Sequence, residues 1–99
     1  MADAELFRAL GNERRVQILE WLKDPCAHFP PQRDGDLIED GVCGQSIAEK
    51  VGVNASTLSE HMRVLQASDL VTARRIRQWT FYRRNDARLG ALPALVGTI

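Results

Sequence analysis

No stretch of this chain is apolar for long enough to cross a bilayer. Arg, Glu, Asp or Gln breaks each run within a few residues, against the ~20 residues a spanning helix requires. Internal repeats and low-complexity tracts are also missing, so neither a solenoid nor a biased tail is expected. Cysteine is scarce: Cys26 and Cys43 are the two, too few for a stapled secreted domain and expected to stay thiols in a reducing compartment. The opening MADAELFRAL lacks both a basic n-region and an apolar h-region, so a cytoplasmic location is expected rather than secretion. No nucleophile paired with a base, no phosphate-cradling loop and no paired carboxylates emerge. The sequence therefore does not read as an enzyme, and it implies no cofactor.

What is present is enough for one small core. Ninety-nine residues, 44% hydrophobic and 26% charged, have the proportions of a single globular domain. The net charge of zero hides a strong division. Residues 1–42 carry nine acidic against five basic side chains, while residues 63–84 carry six arginines against Asp69 alone. A neutral chain with one arginine-rich third suggests an oriented footprint for phosphate backbones or acidic partners.

Apolar spacing places the elements. Leu6, Phe7 and Leu10 recur as on a helix over 3–10, and Asn12 is positioned to cap a second helix reaching Lys23, with Val16, Leu19 and Leu22 on one stripe and Asp24-Pro25 as the stop. Residues 24–42, with three prolines and two glycines, read as one long loop, a kind that is usually functional or mobile. Two helices follow, at about 44–51 and 55–68, joined by Gly52, Val53 and Asn54. In the second, Leu58, Met62 and Leu65 form an apolar stripe that leaves Ser56, Thr57, Ser59, Glu60 and Arg63 on the other side. Residues 70–76 and 79–84 are β-branched and aromatic and read as a hairpin. Arg77 and Gln78 between them are poor residues for a two-residue turn, so a longer, looser tip is expected. Leu89, Leu92, Val96 and Ile99 form a last helical stripe that Pro93 should kink or split.

This order, mainly α with a β-hairpin wing, is that of a winged helix-turn-helix occupying the whole chain: helix-turn-helix at 44–68, wing at 70–84, terminal helix at 86–99. A helix fits the major groove, its N-terminal residues reach base edges, and the preceding helix sets its angle. Asn54 as cap leaves Ser56 and Thr57 in the first turn, suited to phosphate contacts. Ser59, His61 and Arg63 are placed to read bases or brace phosphates. Arg74, Arg75, Arg77 and Gln78 form the tip of the wing, where they would lie along the minor groove or the adjacent backbone.

The chain resembles the ArsR/SmtB family of bacterial repressors from residue 4 to about 86. The FRALGNERRVQILEWL opening, the TLSEHMRVL segment with Ser59 and His61, the SDLV entry to the wing and the WTFYRRND exit carry the resemblance. It implies a homodimer formed through the first and last helices, binding double-stranded DNA at an imperfect palindrome. Independently, the apolar stripe from Leu89 to Ile99 in so small a domain suggests a surface that seeks a partner.

The sensor regions depart from the family. Its metal-sensing members open the third helix with Cys-x-Cys; here Cys43 stands on the first of those positions and Gln45 on the second. The zinc ligands that other members carry on the last helix have no counterpart, because residues 86–99 contain neither His nor Glu. A soft-metal site would have to combine Cys43 with Cys26 and His28, a weak spacing for tetrahedral zinc, so no metal ligand is assigned. Cys43 at a helix N-terminus could instead serve, with Cys26, as a redox or effector site. The effector itself is unknown. A winged helix that docks another protein without specific DNA binding is the alternative reading of the same residues.

Overall fold

The computed structural model describes residues 2–99, with side chains from Ala4 onward. Helices α1 (Ala2–Leu10) and α2 (Glu13–Lys23) come first, and Asn12 is the cap anticipated, its side chain accepting the Arg15 amide at 3.2 Å. The inner face of α1 is not quite the one anticipated: Leu6 and Ala9 are fully buried, while Phe7 remains 40% exposed.

The segment expected to be one long loop contains two elements. Pro25–His28 forms the short helix α3, which Pro25 can open because its missing N–H would have no helical partner there. Val42–Cys43 forms a strand, β1. Two residues are too few to show an alternating pattern, and only pairing with a distant strand makes them one.

Helices α4 (Gly44–Val51) and α5 (Ala55–Ala67) sit where the spacing placed them. Gly52 takes φ +84° at the end of α4, a conformation that favours glycine, and its amide bonds to the Ala48 carbonyl at 2.9 Å. The end of α5 is closed by two reversed bonds, Leu70 N to Leu65 O at 2.9 Å and Asp69 N to Gln66 O at 3.0 Å. This is a Schellman motif, with the fully buried Leu65 and Leu70 as its apolar contact. Asp69 occupies its left-handed position at φ +61°.

Strands β2 (Val71–Ile76) and β3 (Trp79–Arg84) pair antiparallel, and β1 joins the other edge of β3, so the sheet order is β1-β3-β2. Ile76 pairs directly with Trp79. The tip is therefore a two-residue turn and not the looser one expected. The strain falls on Arg77, which takes φ +57°, and the Arg75 Nε donates to the Arg77 carbonyl at 3.1 Å. Pro93 has the anticipated effect, dividing the C-terminal stretch into α6 (Asp86–Gly90) and α7 (Leu92–Gly97).

Leu6, Ile18, Ile47, Met62, Leu65, Leu70, Val42 and Phe81 are the largest fully buried side chains. All but Phe81 belong to one core, drawn from α1, α2, α4, α5, β1 and the Leu70 corner, so that core fixes α5 against α1, α4 and the sheet. Each such side chain contributes about 1.5–3 kcal/mol by leaving water. At the periphery, Lys50 of α4 lies 5.0 Å from the Trp21 ring, and Trp21 meets Phe29 edge-on at 6.3 Å. Those contacts tie the first helix of the helix-turn-helix to α2 and α3.

Candidate nucleic-acid interface

The two sides of α5 differ as its periodicity requires. Leu58, Met62 and Leu65 are buried, whereas Ser56, Ser59, Glu60 and Arg63 are exposed and Thr57 and His61 half-buried. The Asn54 Oδ1 accepts the Thr57 amide at 2.8 Å and the Asn54 carbonyl accepts the Leu58 amide at 3.0 Å. The amides of Ala55 and Ser56 find no partner among the described residues and stand open at the positive end of the helix, the arrangement that receives phosphate.

Three of the outward side chains have neighbours that the sequence did not announce. Arg63 is held by Glu60 of its own helix through two bonds of 2.6 and 3.1 Å. Both side chains are more than 60% exposed, so the pair is easily exchanged for a better acceptor. Arg63 lowers the Glu60 carboxyl below its ordinary value. His61 is turned toward the first helices: its Nδ1 lies 3.3 Å from the Arg15 Nη1. Arg15 also donates to the Ala9 and Arg8 carbonyls at 2.8 and 3.1 Å, so one guanidinium closes the C-terminus of α1 and touches α5. With Nδ1 as acceptor, the ring proton sits on Nε2. Burial first, then the positive charges of Arg15 and Arg14, holds the His61 pKa below its usual value, against a smaller opposing pull from Glu60.

The wing carries Arg74, Arg75, Arg77 and Gln78, all exposed. Arg74 and Arg77 reach back to Asp40 and Asp34, acids from the segment between α3 and β1. Arg84, counted in the basic third of the sequence, belongs to the base of the fold: it bonds Asp86 at 2.8 Å and the Leu19 carbonyl at 3.3 Å. Of the aromatics on β3, Phe81 is buried at 2% exposure and Trp79 is half-buried.

Both cysteines are free thiols, Cys26 exposed and Cys43 half-buried. Cys43 is the N-cap residue of α4, and its amide donates to the Gln32 Oε1 at 2.7 Å. Among the described residues, no group of three or more His, Cys, Asp or Glu side chains is placed to hold a metal ion.

Sequence reasoning singled out the helix and the wing but missed Arg15 and Gln32, and it read Asp34 and Asp40 as part of a polar acidic loop without a partner on the wing.

A scan against protein-family models finds no match. The chain is 39% identical to the uncharacterized HTH-type transcriptional regulator YbzH of Bacillus subtilis, over 99% of this chain and 98% of that one. It is 32% identical to the nodulation protein NolR of Rhizobium meliloti, over 94% of this chain and 68% of the relative. Among solved structures it matches the homodimeric winged helix-turn-helix DNA-binding domain of a possible ArsR-family transcriptional regulator from Mycobacterium bovis. That match has a TM-score of 0.66 and 30% identity, and covers 98% of this chain and 79% of the other. With a capped helix presenting a polar face, a basic hairpin beside it and relatives that are regulators rather than enzymes, the chain belongs to the ArsR family of DNA-binding winged helix-turn-helix transcriptional regulators.

Proposed function

We propose that this regulator is a cytoplasmic repressor that binds an imperfect palindrome in double-stranded DNA as a homodimer, reading each half-site with α5 and gripping the flanking backbone with the wing. The supporting observation is the separation of the two sides of α5: the apolar side is consumed by the core, and the polar side, with Asn54, Ser56, Thr57, Ser59 and Arg63, is left to the groove. Pairing is supported by apolar surface that one copy leaves uncovered. Phe7 is 40%, Val96 53% and Ile99 88% exposed, on the first helix and at the C-terminus. A symmetric dimer would place two reading helices about one helical turn of DNA apart.

Selection of bound sequences from random duplexes tests this reading, followed by titration of the selected duplex against salt. The expected result is an inverted repeat and an affinity that falls steeply with salt, because each neutralised phosphate releases counterions. Selection of a single half-site would refute the palindrome, and no salt-dependent affinity for any duplex would refute DNA recognition by this face. Within the interface, Arg75→Ala should weaken all duplexes alike, whereas Ser56→Ala or Thr57→Ala should weaken the selected duplex more than random DNA. Running the selection with oxidised protein in parallel examines Cys26 and Cys43 as sensing thiols: loss of selection only on oxidation assigns them that role, and identical results remove it.

A further inference from the structure

Three arginines of the wing, Arg74, Arg77 and Arg83, are partnered before any DNA arrives, and their partners come from a single segment. Asp40 Oδ1 accepts from the Arg74 Nη1 at 2.8 Å, and the Asp40 side chain is only 19% exposed. Asp34 Oδ1 lies 3.9 Å from the Arg77 Nη1. The Glu39 carbonyl accepts from the Arg83 Nη1 at 3.2 Å. All three contacts span more than thirty positions of sequence, and all lead to residues 30–41.

That segment is built to hold its shape. Gln32 ties it from within, donating to the Gly35 and Gly41 carbonyls at 3.3 and 3.0 Å while accepting the Cys43 amide. Asp36 accepts the amides of Ile38 and Glu39, both at 2.9 Å, and the second oxygen of Asp40 accepts the Asp36 amide at 2.8 Å. Gly35 lies close against the ring of Phe81, where a Cβ would come within 2.7 Å, and Gly41, at φ +105°, presses on the Tyr82 backbone where no side chain fits. The carboxylates are thus presented to the wing by a fixed scaffold anchored on β3.

We propose that residues 30–41 act as an internal stand-in for phosphate, with Asp40 and Asp34 withholding Arg74 and Arg77 from DNA and so setting the affinity and salt dependence of binding. A carboxylate at ion-pair distance offers a guanidinium what a phosphate oxygen offers. With the acids in place, those two arginines add little net positive charge to the interface, and Arg75 supplies most of the cationic grip of the wing. This inference rests on the DNA reading above.

Asp40→Asn is the sharpest probe, since the amide keeps an oxygen for the Asp36 amide while its NH2 replaces the charged acceptor that faces Arg74. Binding of the selected duplex is measured across a salt series for the full chain, Asp40→Asn, Arg74→Gln and the double variant, with Glu20→Gln as an equal charge change on α2. Asp40→Asn should bind about two- to five-fold tighter, the range an exposed ion pair commands, and its salt slope should steepen by up to about 0.9. Arg74→Gln should change little by itself and should erase the gain in the double variant. Unchanged or weaker binding by Asp40→Asn overturns the proposal, as does an equal gain from Glu20→Gln or an Arg74→Gln effect of the same size in both backgrounds. A parent protein that binds no duplex with salt dependence would overturn the DNA reading instead, a result separate from these.

Discussion

The outward face of α5 and the wing, the two surfaces proposed to meet DNA, are prepared in opposite ways. The helix face is made by its own period: the same turn that buries Met62 exposes Ser59 and Arg63, and the ion pair of Glu60 with Arg63 is internal to the helix. The wing is made by the strands but governed from outside them, by acids that lie more than thirty residues earlier. A surface created by periodicity keeps its chemistry wherever the helix is placed. A surface balanced by distant charges can be retuned without changing one of its own residues.

Substitutions can break or sharpen that contrast. The largest effect is expected inside α5. Met62→Ala should cost about 2–5 kcal/mol in denaturant unfolding, while Ser59→Ala on the outer side should stay within about 0.5 kcal/mol. Comparable losses at both positions would mean that the two sides of the helix are not distinct. Next is the scaffold of the acidic segment. Gly41→Ala forces a side chain into a positive-φ position against the Tyr82 backbone and should destabilise the fold by about 1–3 kcal/mol. An unperturbed melting curve would show that the segment is not anchored there.

The smallest effect concerns His61, which joins the helix face to the rest of the molecule. Its pKa in the folded protein is held below the usual value by burial and by Arg15 and Arg14. The unfolded chain therefore takes up the proton first as pH falls, so the stability His61 contributes is present above its ordinary pKa of ~6.5 and is lost as pH drops toward the folded value. Protonation also removes the acceptor that Arg15 meets. Thermal melts between pH 7.5 and pH 5, intervals chosen about that ordinary pKa, should show less acid sensitivity in His61→Gln than in the parent. Equal sensitivity would place the linkage at another group.

Much of the site was legible because it depends on short-range rules. Asn12 and Asn54 announce helix starts by residue type, Gly52 marks the turn, and Leu58, Met62 and Leu65 select the buried side of α5. Pro93 divides the last helix for a covalent reason that no packing can undo. The misreadings share a different cause. Val42 and Cys43 become a strand only by pairing with Tyr82 and Phe81. Arg77 accepts an unfavourable backbone angle because Ile76 and Trp79 are already paired on either side of it. Phe7 has the helical spacing of a core residue yet lies at the surface.

By itself, the sequence determined the extents of α2, α4 and α5, which side of α5 is polar, and that positive charge gathers toward the wing. Periodicity, capping chemistry and composition act over a few residues and need no fold to express them. The tertiary structure alone decided which charges remain available. It turned His61 toward Arg15, took Arg84 into the base of the molecule, and set Asp40 and Asp34 against Arg74 and Arg77. Such pairings depend on distances between segments that only the folded core fixes, and a Coulomb interaction is set by distance and burial rather than by position along the chain.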